Sequence, residues 1–396
     1  MKNRNLFAIL AIVFLAFSYN YLVTEKWESQ IANFIDTAHF SAAAMTPVYK
    51  KNTIQVALLL DTSGSMSGLI EQAKSQLWQI LNTLANTEKE NEETKLEIAL
   101  YQYGSPTYGK RSNQIRQLSG FTTDMDLISR KLFALKTSGG EEYCGEVITT
   151  SISELNWGKD DSNFKMIYIA GNEPFTQGPI NYTQACQLAK KQDITINTIF
   201  CGSYQEGIQT MWKQGAQLAD GEYMNINHNQ TTVYIETPYD KRINELNQKL
   251  NETYIPYGIE GKIKKENQTK QDFNANSYSS ANAASRASFK SSKKYKADSW
   301  DLVDAYEKDK EIIKNIQVES LSDSLQTLSK KELEVKIKLI RGQRSSIQNE
   351  IQELNSKRLI HIEKNSKEIV EENNLKKSIE NSVRKQAKKN GYKVKN

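Results

Sequence analysis

Ile54-Gln55-Val56-Ala57-Leu58-Leu59-Leu60-Asp61-Thr62-Ser63-Gly64-Ser65-Met66 decides how this chain is read. Ile54 to Leu60 run almost without polar interruption, as in a strand buried on both faces. One carboxylate, two hydroxyls and a glycine follow at once, and Leu77, Trp78, Ile80, Leu81 and Leu84 then recur at helical spacing. The stretch therefore predicts a parallel strand, a turn and a helix. Ligands of open α/β sheets bind in the crevice at such turns. Asp61, Ser63 and Ser65, at alternate positions, offer hard oxygen donors that suit Mg²⁺ or Mn²⁺, with Ca²⁺ a further candidate, and suit zinc or copper poorly. One charge from three ligands leaves such an ion electrophilic. The plainer alternative is that Asp61 caps the helix and the serines shape the turn.

Asp61-x-Ser63-x-Ser65 after a first strand resembles the metal-ion-dependent adhesion site of the von Willebrand factor type A (VWA) domain. The resemblance implies a doubly wound, mostly parallel α/β sheet of Rossmann-like type, and a site completed by a Thr from a second loop and an Asp from a third. Both completing positions are changed here. The second loop reads Ser138-Gly139-Gly140-Glu141-Glu142-Tyr143-Cys144-Gly145, with Glu141 or Glu142 where the Thr is expected. The third reads Gly171-Asn172-Glu173-Pro174, so the usual Asp falls near Gly171, with Asn172 and Glu173 the nearest oxygen donors. A carboxylate in place of Thr would hold a metal more tightly and weaken its pull on an acidic ligand. Alternatively, Glu141 and Glu142 simply start a helix, where acidic side chains meet the helix dipole favourably. Gly139 to Glu146, Ala170 to Gly178 and Asn197 to Gly202 together resemble a bacterial, exported branch of this family.

The chain alternates strands and helices over its first 260 residues or so, which argues for a parallel sheet covered on both faces. Strands are expected at Ile54 to Leu60, Leu96 to Tyr103, Lys165 to Ala170 and Ile194 to Cys201, with Glu222 to Ile226 as a shorter edge. Helices are expected at Ile70 to Ala85, Met125 to Leu135, Glu146 to Leu155, Tyr182 to Lys191 and Glu206 to Ala219. The VWA-like domain is bounded at residues 50–238, and Ile243, Leu246 and Leu250 predict a helical extension over 239–258. Residues 267–297, rich in Ser, Ala, Asn and Lys without an apolar stripe, predict a flexible linker. Residues 299–396 predict a helical, partly coiled-coil region, because Leu333, Ile340, Ile347 and Leu354 are spaced by seven. Arg344 and Arg358 interrupt the intermediate positions of that seam. Its basic end, from Lys376 to Lys395, lacks any nucleic-acid-binding signature.

Residues 1–23 open with Lys2 and Arg4 before the apolar run Leu6 to Phe17, which Tyr19 to Val23 lengthen. This predicts an export signal or an N-terminal membrane anchor, and a periplasmic or cell-surface location. An oxidising compartment permits a disulfide among Cys144, Cys186 and Cys201, with Cys186–Cys201 as the suggested pair. The alternative is that all three are small buried hydrophobes.

The three histidines, His39, His228 and His361, lie in separate segments, and there is no His-Glu-x-x-His pair or Walker phosphate loop. The sequence therefore points to a module without a catalytic residue, engaged in protein–protein interaction or envelope assembly. Its expected partner is a protein offering a carboxylate to the metal. Self-association through the C-terminal helices and membrane contact through an uncleaved N-terminus are further expectations, and nucleic acid is not expected. Two alternatives stand beside this: a helical scaffold with a degenerate metal site, and a hydrolase using Glu141, Glu142 or Glu173 to activate metal-bound water.

Overall fold

In the computed structural model, which describes residues 52–89, 94–106, 114–160, 163–226, 235–366 and 375–394, the opening strand lies at the centre of the sheet. Strand β1 (Thr53–Asp61) is buried along its whole length. Its alternate side chains serve two cores: Ile54, Val56, Leu58 and Leu60 face one, Ala57 and Leu59 the other. A turn of 3₁₀ helix at Gly64–Met66 leads into α1 (Ile70–Ala85) and the short β2 (Thr87–Lys89). Then come β3 (Lys95–Tyr103), β4 (Arg116–Thr122), α2 (Met125–Phe133), α3 (Cys144–Glu154), β5 (Phe164–Gly171), α4 (Tyr182–Lys191) and β6 (Ile194–Cys201). The domain continues through α5 (Tyr204–Gln209), α6 (Trp212–Leu218) and β7 (Tyr223–Ile226). The helix expected over Glu206 to Ala219 is thus two, broken at Met211, whose φ of 68° is left-handed.

The main sheet has the order β4-β3-β1-β5-β6-β7. Every pairing is parallel except β3 with β4. Strand β1 is where the winding reverses, because β3 lies on one side of it and β5 on the other. The carboxyl end of β1 therefore opens into the crevice where this architecture places ligands.

The helical region, α7 (Asp240–Glu252), α8 (Gly258–Tyr278), α9 (Ser280–Lys290), α10 (Leu302–Lys308), α11 (Ile312–Asn315), α12 (Asp323–Gln326), α13 (Lys330–Ser366) and α14 (Leu375–Lys389), ends in β8 (Tyr392–Val394). Strand β8 pairs antiparallel with β2. These elements extend the domain core: Ile243, Leu250, Ala287, Phe289, Ile351, Val383 and Tyr392 belong to the same apolar cluster as Leu58 and Leu77.

Residues 267–297 do not form a flexible linker; most of them lie in α8 and α9. Apart from Phe289, their buried faces are made of small or polar residues, among them Gln268, Gln271, Ala275, Ala281, Ala284, Arg286, Ala287 and Lys290, which leave no apolar periodicity to read. Arg286 donates to Asp126 of α2 at 2.6 Å and to Asp272 of α8 at 2.6 Å, and Lys290 reaches Asp272 at 2.6 Å. The heptad seam of α13 faces its own chain, with Leu333, Ile337 and Ile351 buried. Arg344 and Arg358, the apparent interruptions, are buried ties: Arg344 to Asp301 at 2.6 Å, and Arg358 to Asp240 at 2.7 Å.

Cys144, Cys186 and Cys201 are free and buried, so the suggested Cys186–Cys201 disulfide is not formed. Cys186 packs in the cluster on one side of the sheet and Cys201 in the cluster on the other, and the sheet between them keeps the thiols apart. The export or anchor segment, residues 1–23, lies outside the described residues. Among the described residues no helix is long and apolar enough to cross a membrane.

Candidate metal centre

Asp61 is the last residue of β1 and is fully buried. Its Oδ1 accepts the backbone N–H of Ser63 at 2.7 Å, closing a tight turn that brings the two serines round. Ser63 Oγ and Ser65 Oγ lie 2.8 Å apart, and Ser65 donates to Asn172 Oδ1 at 3.0 Å. The first loop is stitched to its neighbours through backbone: Thr62 N–H donates to the Tyr103 carbonyl at 2.9 Å, and Ser138 N–H to the Thr62 carbonyl at 2.9 Å. A hydroxyl pair, Ser105 and Ser138 at 2.8 Å, ties the end of β3 to the second loop.

Glycine is required at two places. At Gly104, with φ +75°, a β-carbon would sit 2.6 Å from Asp61 Oδ1 and 3.1 Å from Glu142 Cγ. At Gly171 it would sit 2.5 Å from the Tyr103 hydroxyl and 3.1 Å from Asp61 Oδ2. A third-loop Asp therefore has no room at Gly171. The third loop is pinned instead by Trp212, whose indole N–H donates to the Glu173 carbonyl at 2.8 Å.

The structure gathers Asp61, Ser63, Ser65, Glu142 and Asn172, and it separates the two second-loop acids. Glu142 is buried, with the Ser63 hydroxyl close enough to favour its ionised form. Glu141 is exposed and its carboxylate takes the Tyr143 hydroxyl, while its backbone N–H donates to Gln114 Oε1 at 2.7 Å. Glu173 acts on Glu142 through its like charge. Gly104, Tyr103, Gln114 and Ser105, which hold these loops, escaped the sequence reading. A glycine directly after a buried strand was the one available sign.

Burial pushes the Asp61 carboxyl up to about 7, against hydrogen bonds from Ser63 that favour the ionised form, and the like charge of Glu142 adds to the rise. The Asn172 backbone N–H also faces this carboxylate, but no donor meets hydrogen-bond geometry at its buried Oδ2. Glu142 is likewise raised, first by burial and then by Glu173 and Glu141. A buried carboxylate oxygen left without a donor is costly. Two carboxylates, two hydroxyls and an amide oxygen make a hard donor set of the kind Mg²⁺ and Mn²⁺ take. Among the described residues no group of three or more His, Cys, Asp and Glu could hold a metal ion, so an ion here would depend on the serine hydroxyls as well as on Asp61 and Glu142.

Among solved structures, the chain is similar to the VWA domain of SpRpn10 (17% identity, 46% of this chain and 91% of that one, TM-score 0.35). It is also similar to BatB from Bacteroides thetaiotaomicron (15%, 44% and 90%, TM-score 0.34). A third is proximal thread matrix protein 1 from the mussel byssus, with a zinc-occupied MIDAS motif (10%, 46% and 43%, TM-score 0.34). Comparison with curated protein sequences returned no match. The family profile of the von Willebrand factor type A domain matches residues 55–255, just over half of the chain, and takes in all three site loops together with the sheet that carries them. The chain belongs to the von Willebrand factor type A domain family.

Proposed function

We propose that this protein is an exported interaction module whose VWA domain binds a divalent cation, Mg²⁺ or Mn²⁺, and uses it to engage a partner protein. Asp61, Ser63, Ser65 and Glu142 would hold the ion, with Asn172 orienting Ser65. The observation that carries this reading is Asp61 Oδ2: a fully buried carboxylate oxygen that no donor meets in hydrogen-bond geometry, beside two hydroxyls and a second buried acid. A cation supplies the missing partner and stabilises the ionised form. Export rests on the basic and apolar start of the chain, Met1 to Val23.

Thermal unfolding of the full-length chain in EDTA, Mg²⁺, Mn²⁺ and Ca²⁺, beside Asp61→Ala, tests the ion. A ligand at a hundredfold its Kd stabilises by roughly 3 kcal/mol, so the wild type should melt several degrees higher with metal and the variant should not respond. A wild type indifferent to saturating metal removes the proposal.

A further inference from the structure

Given that metal reading, the charge around Asp61 decides what the ion can accept. Asp61 and Glu142 close on the same point, the space a β-carbon on Gly104 would take, 2.6 Å from Asp61 Oδ1 and 3.1 Å from Glu142 Cγ. The Ser63 hydroxyl lies near both carboxylates and favours the ionised form of each. The largest charge effects on the pair come from other acids: Glu142 acts on Asp61, and Glu173 and Glu141 act on Glu142. Asp61 and Glu142 together would cancel the charge of a divalent ion, and Glu141 and Glu173 add further negative charge beside Glu142. In a partly buried site an incoming carboxylate meets like-charge repulsion of a few kcal/mol at about 4 Å, whereas a neutral oxygen pays no such cost and a neighbouring cation gains. Like charges placed against one class of ligand are a recognised route to specificity.

We propose that the ion at Asp61 takes a neutral oxygen, a hydroxyl or backbone carbonyl, from a lysine- or arginine-bearing segment of the partner protein, and that Glu142 is the residue that turns acidic segments away. This replaces the carboxylate-bearing partner expected from sequence.

The test is calorimetric titration of Mn²⁺ into the full-length chain alone, with excess glutarate, and with excess acetyl-Lys-Ser-Gly-Ser-Lys-amide. A ligand that shares the ion must tighten Mn²⁺ binding by the same factor that Mn²⁺ tightens its own. The peptide should lower the Kd for Mn²⁺ about threefold or more, and glutarate should leave it unchanged. In Glu142→Thr glutarate should gain a tightening effect. Glu173→Gln, which removes an outer charge while leaving the proposed ligands in place, should weaken the peptide's effect. Glutarate tightening Mn²⁺ in the wild type overturns the proposal, as does a peptide without effect. Absence of Mn²⁺ binding to the wild type strikes the metal reading itself, and this proposal falls with it.

Discussion

Asp61 carries opposing demands: the sheet buries it, and its chemistry needs charge. Its carboxyl is raised from an ordinary 3.8 to about 7, chiefly by burial. A folded value above the unfolded one means that the stability present below pH 4 is lost as pH rises through 7, by up to about 4 kcal/mol from the size of the shift. Urea unfolding in EDTA should therefore show Asp61→Asn matching the wild type near pH 4 and exceeding it above pH 7. Saturating Mg²⁺ should narrow that gap by stabilising the wild type alone. Gly104 permits no side chain, since its φ is +75° and a β-carbon would press on Asp61 Oδ1. Gly104→Ala should cost about 2 kcal/mol or more, read by chemical denaturation, and should abolish any metal-dependent rise in Tm. Asp61, Ser63 and Ser65 were legible because a buried strand announced their turn. Glu142 could not be told from Glu141, since neighbours in sequence leave a loop in different directions and only the fold selects which one is buried.

The α8–α9 hairpin shows what a polar interior does to an element's visibility. Burial alone would raise the Asp272 carboxyl, yet Lys290 and Arg286 outweigh it and hold the group below the usual carboxylate range. With the folded value depressed, its contribution is complete above pH 4 and is lost as pH falls further. Arg286→Met leaves Asp126 and Asp272 buried with their shared cation gone, and should destabilise by about 3–5 kcal/mol, measured as a lower urea midpoint at pH 7. Pairing by charge permits a helix to be buried without an apolar stripe. That is why 267–297 reads as a linker, while α7, with Ile243, Leu246 and Leu250 at regular spacing, is plain.

At the scale of the molecule, the helical region completes the domain. Helix α14 buries Val383 and Ala387, exchanges side-chain amide hydrogen bonds between Gln386 and Asn197 of β6, and Tyr392 beyond it packs its ring, tilted by 35°, against Phe164 at 5.7 Å. Residues 50–258 alone would leave uncovered the part of the core that Ala284, Phe289, Ile351 and Val383 close. That fragment should melt below the full chain and aggregate, whereas residues 51–396 should unfold in one cooperative transition; differential scanning calorimetry distinguishes the two. The sequence by itself determined the α/β sheet, its central strand and the oxygen-rich turn at Asp61, because hydrophobic run length and turn chemistry are local. Only the tertiary structure decided which acid faces Asp61, that the cysteines stay apart, and that the C-terminal helices close over the domain. Those outcomes depend on which groups meet across the sheet or between helices far apart in the chain, and burial, charge pairing and steric room are settled only where they meet.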